Sequence, residues 1–112
     1  MPRTAQGQDQ SAGTERVSIS ATEQKRVDLP QGPIGYREAG SGPPVVFVHG
    51  LLVDGRLWDG VADQLAATHR CIVPDWPMGS HRLPMSPDAD LTPTGVAATI
   101  ADFMAALDLD DV

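Results

Sequence analysis

Among the polar side chains of this 112-residue chain, His49, Asp75, Ser80 and His81 are the residue types that acid–base or nucleophilic chemistry would use. A serine beside a histidine, with a carboxylate nearby, holds the types of a nucleophile, its base and an orienting acid. Adjacent residues on an irregular loop rarely face one another, so Ser80 and His81 read as polar loop filler. His69 suits a helix C-terminus as a favourable cation. Asp108, Asp110 and Asp111 read as a solvated turn, and no His/Asp spacing converges as a metal site requires. The single cysteine, Cys71, sits in an apolar strand and reads as a small hydrophobe. The most informative stretch is Pro43-Pro44-Val45-Val46-Phe47-Val48-His49-Gly50-Leu51-Leu52, where an apolar run ends abruptly in His-Gly. Gly50 is expected to turn the chain sharply at a strand's C-terminal end, where open α/β sheets place their ligands.

The elements that must position these residues follow from periodicity. Residues 17–20 alternate and suggest a short strand, with residues 26–29 continuing it or forming another. Gln31-Gly32-Pro33 is a turn signal, and residues 34–38 read as the returning strand of a hairpin. Gly40-Ser41-Gly42-Pro43-Pro44 connects tightly into a strand over residues 45–49, whose unbroken apolar run predicts burial on both faces. Asp54 is the predicted N-cap of a helix that presents Leu57, Trp58, Val61 and Leu65 on one face. Cys71-Ile72-Val73 is the next strand, closed by Pro74-Asp75. Residues 76–91 form a loop long enough to suggest function. Thr92 then caps a second helix with Pro93 at its first position, and Val96, Ile100, Phe103, Met104 and Leu107 form its apolar stripe. Val112 reads as the first residue of another strand. Strand, helix, strand, loop, helix and incipient strand is the βαβα pattern of a parallel sheet covered on both faces, made mixed by the leading hairpin.

Bulk properties narrow the partners. The net charge of −7, with no Lys/Arg cluster, argues against nucleic acid. Residues 1–15 read as a disordered tail, polar and rich in Gln, Gly and Ser, without the apolar core of a secretory signal. No segment is long and apolar enough to span a membrane, and the expected setting is cytoplasmic.

With these residues laid out, residues 26–112 resemble the N-terminal part of an α/β-hydrolase. The resemblance rests on the order and spacing of three segments. They are Gly35-Tyr36-Arg37-Glu38-Ala39-Gly40, Val45-Val46-Phe47-Val48-His49-Gly50 leading into a helix with Leu57-Trp58, and Val73-Pro74-Asp75. The implied architecture is an incomplete α/β-hydrolase domain over residues 16–112, a β-hairpin followed by parallel βαβα. By position, the resemblance makes the Leu51 amide an oxyanion-hole donor, with His49 and Gly50 shaping its loop, and assigns Asp75 to bracing neighbouring loops. Leu52, Trp76 and Met78 become candidates for a substrate pocket, which favours a small apolar substrate and calls for no cofactor or metal. The family's usual loop, Asp-x-x-Gly-x-Gly-x-Ser, stands here as Asp75-Trp76-Pro77-Met78-Gly79-Ser80-His81-Arg82, with one glycine displaced and one lost. The nucleophile elbow is expected after the strand that begins at Val112, and the catalytic acid and base histidine later still. A serine nucleophile would imply ester or carbon–carbon bond hydrolysis, and an aspartate nucleophile would imply epoxide or haloalkane hydrolysis. Haloalkane dehalogenases usually carry Asn-Pro after His-Gly, and epoxide hydrolases a proline two residues after it, whereas this chain has Leu51 and Leu52. The other reading is a non-catalytic truncated fragment or interaction module, poorly soluble on its own because a sheet edge is left open.

Overall fold

A computed structural model describes residues 18–112; the expected tail over residues 1–15 and the first residue of the expected strand, Val17, lie outside them. A four-stranded mixed sheet is ordered β1-β2-β4-β3. Strands β1 (Lys25–Leu29) and β2 (Gly32–Ala39) form an antiparallel hairpin joined by Pro30 and Gln31, in register from Lys25 opposite Tyr36 to Leu29 opposite Gly32. Gly32 and Pro33 therefore belong to β2 rather than to the turn. β2 also pairs antiparallel with β4 (Arg70–Pro74), and β4 pairs parallel with β3 (Pro44–Val46).

The helices cover opposite faces, because alternate strand residues point to opposite sides. Val45, Phe47, Cys71 and Val73 face helix α1 (Asp59–Leu65), packing with Ala62, Ala66, Trp58 and Ile19. Val46, Ile72, Ile34 and Tyr36 face helix α2 (Pro93–Ala106), packing with Phe103, Ile100 and Trp76. Thr92 caps α2 by accepting the Gly95 N–H at 3.3 Å, and its own N–H and hydroxyl donate to Asp90 Oδ1. That stripe and cap match the sequence expectation.

Four expectations are corrected. The strand placed at residues 17–20 is, over Ile19–Ala21, a 3₁₀ turn, because the Ile19 amide donates to Asp63 Oδ1 of α1 at 2.6 Å and its side chain plugs the core. The doubly buried strand is β4, not β3. β3 has a single strand neighbour among the described residues, so Pro44, Val45 and Val46 are only half-buried and Val48 is 44% exposed. The first helix opens as a 3₁₀ turn (Gly55–Trp58), which shifts its phase; Leu57 and Val61 face outward, and Trp58, Ala62, Leu65 and Ala66 face inward. Val112 is exposed and belongs to no strand.

Candidate functional site

The residues singled out by sequence converge where β3 and β4 end side by side. His49 is buried, and its Nε2 accepts the Trp76 N–H at 2.8 Å. An accepting Nε2 carries no proton, so the proton lies on Nδ1, which donates to the Gly50 carbonyl at 2.9 Å. The Trp76 indole Nε1 in turn donates to the Phe47 carbonyl at 2.9 Å. The Leu52 N–H donates to the Met78 carbonyl at 3.0 Å. These bonds clamp the loop after β3 to the loop after β4 on both sides of Leu51. Asp75 adds a further tie: its Oδ1 accepts the Gly55 N–H at 2.8 Å, while its own N–H donates to the Gly35 carbonyl at 2.9 Å.

Leu51 stands at the tip of this clamped loop with its side chain 78% exposed. The sharp turn is made by Leu52, whose φ is 63°, and not by Gly50, which stays outside the left-handed region. A Cβ added at Gly50 would meet nothing within 4 Å, so the space beside this backbone is open. A left-handed leucine costs about 1–2 kcal/mol, and the hydrogen bond from its amide to Met78 helps to offset it. The displaced glycine keeps a backbone role: Gly79 has φ +120°, and a Cβ there would come within 2.9 Å of Leu52 Cδ2.

Beside the loop lies an open depression of about 420 Å³ lined by Leu52, Val53, Asp54, Arg56, Leu57 and Ser80. Leu52 is thus at an accessible wall. Met78 is half-buried and packs into the α2-side core. The Trp76 side chain is fully buried among the described residues, edge-on to Phe103 at 5.1 Å, and packs in the α2-side core. Asp54 at the depression accepts from the Arg56 backbone N–H at 3.0 Å and from its guanidinium at 2.7 Å. That pairing holds its carboxyl at about 2, below the usual carboxylate range. No hydrogen bond joins Ser80 to His81 among the described residues, and His81 Nδ1 is buried without a partner. Cys71 is fully buried, and burial pushes its thiol pKa up. Among the described residues, no group of His, Cys, Asp and Glu is placed to hold a metal, and no helix is long and apolar enough to cross a membrane.

Sequence reasoning missed the hydrogen bond from the Trp76 amide to His49, since nothing in the spacing of two residues 27 positions apart announces a contact. It also missed the ion pair of Arg37 on β2 with Asp59 of α1, at 2.8 and 3.2 Å.

No family model matches the chain. It is 34% identical over 95 residues to a haloalkane dehalogenase of Mesorhizobium japonicum, covering 82% of this chain and 30% of that protein. A provisionally assigned lipase of Acinetobacter baumannii superposes with a TM-score of 0.74 at 28% identity, over 82% of this chain and 31% of that one. An epoxide hydrolase of Vigna radiata superposes with a TM-score of 0.74 at 22% identity, over 85% of this chain and 31% of that one. The chain therefore has an α/β-hydrolase fold, of which it forms a part. It spans 22% to 30% of the length of the curated relatives it matches.

Proposed function

We propose that this chain supplies the oxyanion loop of a hydrolase acting on an ester or a related small apolar substrate. The observation that carries the reading is the clamped loop after β3, which presents the Leu51 backbone at the C-terminal end of a parallel strand pair beside open space. In this reading a nucleophile oxygen gives its proton to the base as it bonds to the acyl carbon, and the carbonyl π pair moves onto oxygen. The Leu51 N–H meets that developing charge. The alkoxide then leaves with a proton from the base, and water cleaves the acyl-enzyme to release the acid. His49 and Gly50 hold the loop rather than exchange protons, because both imidazole nitrogens are engaged. In this reading the nucleophile, acid and base lie outside the 112 residues, which contain no Gly-x-Ser-x-Gly sequence. The apolar Leu52 and Leu57 at the depression favour an apolar substrate. The reading includes a cytoplasmic setting, which a buried unpaired thiol at Cys71 suits, and a small-molecule partner rather than nucleic acid.

The test uses the protein isolated from its source, whose intact mass is measured first. Hydrolysis of 4-nitrophenyl butyrate is then compared with that of a Leu51→Pro variant, which lacks the amide proton. Loss of one oxyanion donor lowers kcat by roughly 10²–10³ with KM little changed. An unchanged kcat sinks the assignment. The dehalogenase relative favours a second reading, an aspartate nucleophile on the same scaffold. Halide release from 1-bromobutane without ester hydrolysis would select it. Neither activity, in a protein whose mass matches 112 residues, would leave a non-catalytic fragment or interaction module.

A further inference from the structure

On the other side of Asp75 from the oxyanion loop, residues 81–85 lie over the β1–β2 hairpin and enclose a cavity of about 290 Å³. The loop is anchored there by the Ser86 N–H, which donates to the Gln31 carbonyl at 2.9 Å. Pro33, Leu83 and Met85 give the cavity an apolar wall, and Gln24, Asp75, His81 and Arg82 give it a polar one. We infer that this cavity binds a small neutral alcohol or amide with a short apolar body, independently of any hydrolytic role.

The head group follows from the polar wall. Asp75 Oδ1 is engaged by the Gly55 amide, which leaves Oδ2 as an acceptor. Arg82 only donates, and it makes no salt bridge among the described residues. His81 closes this wall with its Nδ1 buried, and the Gln24 amide, which both donates and accepts, completes it. A carboxylate head would meet the like charge of Asp75, and an ammonium head that of Arg82. A hydroxyl or amide both donates and accepts, so it serves both residues without repulsion. The body follows from the volume, which lies at the low end of ligand cavities and admits a molecule well below drug size.

The test is an NMR titration of the ¹⁵N-labelled full chain with three probes sharing one body: 1-hexanol, hexanoate and hexylamine. The expected result is saturable shifts at the Gly35, Leu83 and Met85 amides with 1-hexanol, on the order of millimolar affinity for so small a ligand. Hexanoate and hexylamine should bind about tenfold more weakly or not at all, because each sets its charge beside the like charge of Asp75 or Arg82 in a partly buried site. Leu83→Trp, which fills the cavity from the exposed loop, should abolish 1-hexanol binding. The inference is overturned by no saturable shift, by equal or tighter binding of a charged probe, or by insensitivity to Leu83→Trp. Shifts confined to Leu52 and Leu57 would overturn it too, by placing the alcohol on the exposed apolar surface.

Discussion

Asp54 acts through two partners at once: as N-cap it accepts the Arg56 N–H, and as an ion it pairs with the Arg56 guanidinium. Removing the cap with Asp54→Ala should lower stability by about 1 kcal/mol. Asp54→Asn keeps an acceptor and should lose less, about 0.5 kcal/mol, because Arg56 is exposed. The folded carboxyl titrates at about 2 against an ordinary 3.8, so its contribution is complete above about pH 4 and fades as pH falls through 2. Urea midpoints of the parent and Asp54→Asn should therefore differ at pH 7 and converge toward pH 2; a gap that persists unchanged at acid pH would refute the assignment. Cys71 offers a second check, since burial disfavours its thiolate. Its alkylation at pH 8 should be at least about a hundredfold slower in the folded chain than in urea, as expected of an inert buried thiol; similar rates would show that this core opens. Sequence made Asp54 legible because a cap needs only local spacing. His49 is read as a loop-shaping residue only through resemblance, and its contact with Trp76 is not readable at all, because that contact exists only once β3 and β4 lie side by side.

Phe103 shows what holds an element in place. It is fully buried on α2 and meets Tyr36 edge-on at 5.4 Å and Trp76 at 5.1 Å, so one side chain joins the helix, strand β2 and the loop after β4. Phe103→Ala should cost about 3–5 kcal/mol, a large part of the margin of a small domain. Loss of near-ultraviolet dichroism from Trp76 together with a lower urea midpoint would confirm this, whereas an unchanged midpoint would place α2 outside the core. The helix was readable in advance because Thr92-Pro93 fixes its start and large apolar residues mark its inner face. The first helix was misphased for two physical reasons. Its 3₁₀ opening winds at three residues per turn, and the residues it buries most deeply, Ala62 and Ala66, are too small to outweigh Leu57 and Val61 in a hydrophobic pattern. Strand β3 reads as doubly buried from its apolar run, and among the described residues it has a single strand neighbour, which leaves it half-buried.

The two edges of the sheet formed by the described residues are guarded unequally. On β1, Lys25, Arg26 and Asp28 are exposed, the charges that discourage pairing with another chain. On β3 the comparable device among the described residues is Pro44 at its start, and beyond it Val48 is 44% exposed. Leu51, Leu52, Val53, Leu57 and Val61 continue the exposed apolar surface along the loop and α1. Opposing association is the net charge of −7, which makes copies repel one another. That repulsion is screened within about 8 Å at physiological ionic strength, whereas burial of apolar surface is not. The 112-residue chain should therefore self-associate more readily as salt rises, with an onset visible by light scattering as concentration increases. Val48→Lys places a charge on the open edge without entering either core cluster, and it should delay that onset several-fold. Asp28→Lys on the guarded edge reduces the net negative charge but leaves β3 untouched, and should not delay it. A sharply unfolding monomer at every concentration and salt level would show that the β3 edge does not drive association.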